Sequence, residues 1–218
     1  MKRAVRSAAT IVLVVLVALV AACSQIDRSR AAGNPDVSAV TMAQQVCSSC
    51  HGVTGNSVSP AFPKLAGQQR PYLVAQLAEF KSHNRSTLTG AQYMWGFSRL
   101  SPDQVQGLAD YFSAQTPTFG PAGNPLLEAE GRRIFTQGIP DHQVTMCSAC
   151  HGVRGEGSAE APRLAGQHAD YVAKQLVIFQ RTDQRPLGVA MKQVTHELSD
   201  HQIQALAVFL QSFSPTRQ

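Results

Sequence analysis

Cys47-Ser-Ser-Cys50-His51 and Cys147-Ser-Ala-Cys150-His151 are two copies of one pattern, C-x-x-C-H, placed 100 residues apart. This pattern is the attachment signature of c-type haem. Two cysteine thiols add across the two vinyl groups of the porphyrin, and the histidine that follows ligates the iron. One copy could belong to a zinc or dithiol site, but two copies with the same flanking residues favour haem. We therefore predict two haem c groups, covalently attached through four cysteines and ligated by two histidines: Cys47, Cys50, Cys147, Cys150, His51 and His151.

The similarity between the two halves of the chain continues beyond these motifs. Pro-Lys-Leu-Ala-Gly-Gln at 63–68 matches Pro-Arg-Leu-Ala-Gly-Gln at 162–167. A Tyr-x-x-x-Gln-Leu-x-x-Phe pattern follows in both halves, from Tyr72 and from Tyr171. The sequence thus contains a tandem duplication of a domain of roughly 80–90 residues, long enough to fold around one large apolar cofactor. We predict domains at 37–116 and 126–218, joined by a Pro- and Gly-rich linker at 117–125.

Each repeat is predicted to be all-α. In the middle of the first repeat, Leu73, Leu77 and Phe80 are spaced i, i+4, i+7, as on one face of a helix. The last helix of each repeat has a clear start signal. Ser101 and Ser199 are predicted N-caps, each followed by glutamine three residues later. We expect these helices, with one that precedes each C-x-x-C-H motif, to wrap the cofactor.

The N-terminus is typical of a secretory leader. Residues 1–22 combine three basic residues with an apolar run that is too short for a comfortable transmembrane helix. Val20-Ala21-Ala22-Cys23 resembles a lipobox, so we predict lipoprotein processing with lipid on Cys23; ordinary cleavage near Ala22 or an uncleaved anchor are the alternatives. Residues 23–36 are predicted to be a flexible tether. A lipidated Cys23 would hold the protein to a membrane on the periplasmic side.

The formal charge of +5 overstates the basicity of the folded part. Without Lys2, Arg3 and Arg6 of the leader, 16 basic residues remain against 14 acidic ones. The body of the chain has no basic run or stripe. We therefore expect no nucleic-acid partner.

A second axial ligand decides the chemistry of each iron. Met94 and Met191 lie six and seven residues before the Leu-Ser pairs that open the last helices, so they occupy equivalent positions in a predicted loop. We predict that both thioethers ligate iron, which closes both iron faces and favours electron transfer. Met42 and Met146 precede the haem motifs and are predicted to be packing residues. The other histidines are rival ligands but are expected at the solvated surface: His83, His142, His168, His196 and His201.

Four further residues are candidates for the haem environment. Pro63 and Pro162 shape loops whose carbonyl groups can accept a hydrogen bond from the ligand histidine, which fixes its ring. Arg85 and Arg185 lie between the middle helix and the methionine in each repeat. They are predicted either to pair with haem propionates or to be surface charges.

These motifs together resemble those of dihaem class I cytochromes c, and most of all the cytochrome c4 family. The resemblance covers about Val37 to Phe213 and implies two cytochrome c domains packed about a pseudo-two-fold axis. It implies a periplasmic carrier without a substrate of its own, which exchanges electrons with redox proteins such as a quinol-oxidising complex and a terminal oxidase or reductase. The alternatives are a haem subunit of a larger dehydrogenase or oxidase complex and a dihaem peroxidase-like enzyme. The Cys23 lipobox departs from a freely diffusing carrier, and the longer stretch from Arg85 to Met94 departs from its counterpart in the second repeat.

Overall fold

The structure, a computed structural model, describes residues 33–97 and 99–214. The predicted leader at 1–22, the predicted lipidation site Cys23 and most of the predicted tether lie outside the described residues. Within them, no helix combines the length and the apolar character needed to cross a bilayer. The described part of the chain contains no β-strand, only one isolated bridge between Ile139 and Val144, and the all-α prediction is confirmed.

The first repeat begins with a helical run that leads directly into its C-x-x-C-H motif. A π-helical segment, Ala43–Cys47, joins the two short α-helices of this run. Such segments are rare in proteins, and those that occur are often found at functional sites. The helices of this repeat are α1 (Ala39–Met42), α2 (Ser48–His51), α3 (Arg70–Lys81), α4 (Leu88–Met94) and α5 (Pro102–Ser113).

The second repeat follows the same order with one difference. Nine residues separate the end of its first helix from Cys147, and they form a short 3₁₀ turn, Pro140–His142, closed by the Ile139–Val144 bridge. The helices are α6 (Pro125–Gln137), α7 (Ser148–His151), α8 (Ala169–Arg181), α9 (Val189–Thr195) and α10 (Asp200–Ser212).

The last helix of each repeat starts where its capping signal predicts. The Ser101 hydroxyl accepts from the backbone N–H of Gln104, whose side chain accepts from the backbone N–H of Ser101. Ser199 and Gln202 form the same reciprocal pair in the second repeat. These capping boxes satisfy backbone donors that the first turn leaves unpaired.

Each repeat has its own hydrophobic core, formed where the first and last helices cross. A glycine permits the close approach in each repeat. It lies on the last helix in the first repeat and on the first helix in the second. In the first repeat Gly107 of α5 faces the Ala39 methyl of α1; in the second, Gly131 of α6 faces the backbone of Ala205 in α10. This crossing anchors the helical frame that carries each C-x-x-C-H motif.

The segment before each last helix differs from the sequence-based expectation of a loop. Met94 is the last residue of α4, and Met191 is the third residue of α9. Both helices have seven residues. These helices are short and carry no strong cap, which explains why the sequence pattern does not reveal them.

Candidate haem-binding sites

The two motif histidines occupy equivalent, buried positions. His51 is 7% exposed and His151 is 6% exposed. His51 Nδ1 lies 2.9 Å from the Pro63 carbonyl oxygen, and His151 Nδ1 lies 2.8 Å from that of Pro162. A hydrogen bond from Nδ1–H to a carbonyl leaves Nε2 as the ligating atom, because its lone pair is then available for a metal. Burial lowers the pKa of both imidazoles, which favours the neutral form that binds a metal.

The four motif cysteines lie on the turns that precede these histidines. Cys147 belongs to the turn of α7, because its carbonyl accepts from the backbone N–H of His151 at 3.0 Å. Burial raises the pKa of Cys47 and of Cys147 to about 11. A reactive dithiol needs a stabilised thiolate, and burial opposes this at Cys47 and Cys147. Among the described residues, no three His, Cys, Asp or Glu side chains come together as a metal cluster.

The two methionines predicted as ligands are both half-buried, on α4 and α9. Met191 is held in its helix, where its carbonyl accepts from the Thr195 hydroxyl at 2.7 Å. Met42 is fully buried in the core of the first repeat, as predicted for a packing residue. Met146 is 45% exposed and is therefore not a packing residue. Its exposure makes it a useful spectroscopic control.

Arg85 and Arg185 meet across the boundary between the repeats instead of lying at the surface. Arg85 donates to Gln76 Oε1 of its own repeat at 2.7 Å and to the Tyr171 hydroxyl of the other at 3.0 Å. Arg185 makes the equivalent contacts from the second repeat, to Gln175 at 2.6 Å and to Tyr72 at 2.9 Å. Each guanidinium also stacks over a phenylalanine of its own repeat, 4.6 Å from the ring centre. The surface-charge alternative for these arginines is wrong.

This arginine cluster fits an acidic group such as a haem propionate. Within the described residues neither guanidinium has a carboxylate at salt-bridge distance, although buried charges are normally paired. The Nε of Arg85 is buried and has no hydrogen-bond partner there. Burial raises the pKa of Tyr171, but Arg85 and Arg185 together bring it below its ordinary value. Glu79 lies near enough to help raise the pKa of Arg185, but the two guanidinium groups outnumber this carboxylate. The region is therefore electropositive and has a donor to spare.

The two sites differ in their aromatic surroundings. In the first repeat Phe62 lies edge-on to His51, with ring centres 6.1 Å apart, and edge-on to Tyr93, 5.3 Å apart. The corresponding positions in the second repeat are Ala161 and Ala190. The two iron sites consequently have unequal environments despite their equivalent ligand positions.

Sequence reasoning missed the residues that join the repeats. The sequence pattern identifies the Tyr and Gln of the repeated helix only as residues common to both repeats. In the structure they accept the hydrogen bonds of the arginine cluster described above. His168 is half-buried and not solvated, because its Nε2 lies 2.9 Å from the Ser57 carbonyl of the first repeat. The repeated glutamines Gln68 and Gln167 also bond across the boundary. Their occurrence at the same place in both repeats was the available signal. The other four surplus histidines are exposed, as predicted: His83, His142, His196 and His201.

Comparison with known proteins places the chain in one family. Residues 38–115 and 128–214 each match the family model for cytochrome c. Cytochrome c4 from Stutzerimonas stutzeri is 36% identical over 210 residues, which cover 90% of this chain and 97% of that protein. The crystal structure of reduced recombinant cytochrome c4 from Pseudomonas stutzeri superimposes with a TM-score of 0.72 at 36% identity, over 78% of this chain and 94% of that one.

A third relative carries a more specific description. A thiosulfate dehydrogenase electron acceptor from Thiomonas intermedia is 34% identical over 180 residues, which cover 78% of this chain and 81% of that protein. The prediction of two tandem cytochrome c domains with two covalently attached haem c groups is confirmed, and the protein transfers electrons through haem. The boundaries at 37–116, 117–125 and 126–218 stay a prediction. The chain belongs to the cytochrome c family and, within it, to the dihaem cytochromes c4.

Proposed function

We propose that the protein is a periplasmic electron carrier with two closed haems, His51 and Met94 being the axial ligands of one iron and His151 and Met191 those of the other. The duplicated histidine geometry carries this proposal. Each imidazole is buried, held at Nδ1 by a proline carbonyl, and free to ligate at Nε2. The thioethers would come from equivalent short helices, and Cys47, Cys50, Cys147 and Cys150 would form the covalent links.

Haem iron held by histidine and methionine supplies a reversible one-electron change with no open coordination position. The chain's own residues do the rest. The proline carbonyls orient the imidazoles, and the last helices with the cores around them exclude water. Arg85 and Arg185 offer positive charge to the propionates. A site built in this way favours electron exchange with protein partners over binding of a small substrate.

The axial ligation can be tested with Met94→Ala and Met191→Ala, made separately in the haem-loaded protein. A ferric haem with a methionine ligand has a weak absorption band at the red end of the visible spectrum. We expect each variant to lose about half of this band, as one of two sites is opened, and the double variant to lose all of it. Met146→Ala is the matched control, since this methionine is exposed and precedes the motif. A full band in either single variant, or peroxide turnover by the native protein, would contradict the proposal.

We further propose that lipid on Cys23 tethers the protein to a membrane surface, where its donors and acceptors lie. Its partners would be redox proteins: a quinol-oxidising complex on one side and a terminal oxidase or reductase on the other. Replacing Cys23 by alanine should release haem-stained protein from the membrane fraction to the periplasmic fraction. Persistence of the C23A variant in the membrane fraction would argue for an uncleaved anchor instead.

A fixed role beside one enzyme is the second candidate. It is favoured by the likeness to a protein described as a thiosulfate dehydrogenase electron acceptor. The two candidates differ in what a detergent extract of membranes contains. A tethered carrier migrates alone, whereas a complex subunit co-purifies with a partner in constant ratio and is reduced when that partner's substrate is added.

A further inference from the structure

The peptide group that follows each site proline makes two hydrogen bonds of consequence. The Pro63 carbonyl accepts from the iron-site imidazole of His51, as described above. The N–H of the same peptide group belongs to Lys64. That N–H donates to the side-chain oxygen of Gln167, in the other repeat, at 2.9 Å. One peptide group therefore links an iron-site histidine of the first repeat to a glutamine of the second.

The second repeat contains the reciprocal chain. His151 Nδ1 lies 2.8 Å from the Pro162 carbonyl, whose peptide N–H belongs to Arg163. This N–H donates to Gln68 Oε1, in the first repeat, at 2.7 Å. The two chains are thus related by the pseudo-two-fold arrangement of the repeats.

Both glutamine amides are fixed in orientation. The Nε2 group of Gln167 donates to the Lys64 carbonyl at 2.9 Å, and that of Gln68 donates to the Arg163 carbonyl at 3.0 Å. Both residues are buried: Gln68 is 7% exposed and Gln167 is 8% exposed. Each Oε1 also accepts from the backbone N–H of the residue that follows it, Gln69 or His168. A loop glycine before each glutamine, Gly67 or Gly166, adopts a positive φ that starts this turn.

We propose that Gln68 and Gln167 are positioning residues that tune the iron site of the opposite domain through these peptide groups. The inference rests on the proposed ligation by His51 and His151. A peptide whose N–H is bonded has a more polarised carbonyl, and bonds in such a chain strengthen one another. A stronger bond from Nδ1–H to that carbonyl makes the imidazole a more basic ligand. A more basic ligand stabilises ferric iron and lowers the reduction potential, so each domain lowers the potential of the other's haem.

The test uses Gln167→Leu and Gln68→Leu in the full-length, haem-loaded protein. NMR-monitored redox titration assigns a potential to each haem from the shifted methyl signals of its own domain. We expect Gln167→Leu to raise the potential of the first-domain haem, and Gln68→Leu that of the second-domain haem. A three- to tenfold change in the reduction equilibrium corresponds to about 30–60 mV. The Nδ1 proton signal of the affected histidine should move upfield, as its hydrogen bond weakens.

Gln69→Leu is the matched control. Its amide also crosses the boundary, donating to the Glu156 carbonyl at 2.7 Å, but it touches neither proline-containing peptide through its side chain. In this variant, the shift of each haem potential should be no more than a few tens of per cent of the shift seen with Gln167→Leu. Gln167→Glu guards against simple loss of docking, because it keeps an oxygen at the Lys64 N–H; the first-domain potential should fall in this variant.

Shifts confined to the haem of the mutated domain, equal shifts at both haems, or no shift would overturn the inference. So would a shift of the same size in the Gln69→Leu control. Failure of the proposed ligation shows itself separately. If the proposed ligation is wrong, the unmutated protein lacks the methionine absorption band or the histidine Nδ1 signal, and this is seen before any glutamine variant is made.

Discussion

At the residue scale, the two arginines predicted to contact propionates have a wider role. Arg85 and Arg185 are held by tyrosine and glutamine side chains from both repeats, with no carboxylate at salt-bridge distance among the described residues. An isolated buried charge is costly. We propose that the haem propionates offset this cost. The two positive charges raise the electrostatic potential at the boundary between the repeats.

Replacing Arg85 by methionine should lower the midpoint potentials. A nearby positive charge disfavours the more positive ferric state, so its loss favours oxidation. Two unit charges about 15 Å apart interact by about 1 kcal/mol at an effective dielectric constant near 20, which is about 40 mV for one electron. Potentiometric titration measures the change. Arg85→Lys keeps the charge, and Arg70→Met removes an exposed arginine that pairs with Asp110; both should have a much smaller effect. A rise in potential would refute this account.

The residues that carry the cofactor could be predicted from sequence because their chemistry is local. Two cysteines and a histidine on one turn define attachment without reference to the rest of the fold. The histidine–proline hydrogen bond was also predictable, since a ligand imidazole requires an acceptor. The partners of Arg85 were not predictable, because Tyr171 and Gln175 lie in the other repeat, 86 and 90 residues away. A single sequence does not indicate which surfaces of two domains meet.

At the element scale, the crossing of the first and last helices depends on small residues. A methyl group added to Gly107 would lie 2.5 Å from the Cβ of Ala39. We expect Gly107→Ala to reduce the free energy of unfolding by about 1–3 kcal/mol, as overpacking does. Because Ala39 Cβ is the atom in the way, the double variant with Ala39→Gly should recover most of the loss.

Guanidinium denaturation of the haem-loaded protein measures this effect. Gly96→Ala is the control, since its added methyl group would have no atom within 4 Å outside its chain neighbours. A double variant no more stable than Gly107→Ala would show that the clash with Ala39 Cβ is not the cause of the loss.

The long helices were predictable because apolar spacing and capping signals agree over several turns. Ser101 and Ser199 begin their helices at the predicted residues. The π-helical segment at Ala43–Cys47 and the 3₁₀ turn at Pro140–His142 were not predicted. Both adjust how a helix enters the haem motif, and this depends on tertiary packing that a periodicity of 3.6 residues does not encode.

At the scale of the whole molecule, one of the side chains that join the two repeats, His168, is titratable near neutral pH. The positions after the two bridging glutamines are Gln69 and His168, which reach the Glu156 and Ser57 carbonyls of the opposite repeat. A duplicated interface predicts the same side chain at both positions. Here one of them is a titratable imidazole.

His168→Gln should make the folded protein less sensitive to acid. Burial lowers the pKa of His168; Lys64 also lowers it, while the Ser57 carbonyl and Asp170 raise it less. The unfolded chain has the ordinary histidine pKa of 6.5. As the pH falls below this value, the unfolded chain therefore takes up a proton on this side chain more readily than the folded protein does. Stability falls as pH decreases through this range. Glutamine takes up no proton and, like Gln69, can donate to the carbonyl. We expect the variant to lose less stability than the unmutated protein between about pH 7.5 and about pH 5, measured by denaturant unfolding at both. His142→Gln, which removes an exposed histidine, is the control, and an equal gain there would assign the effect to surface charge.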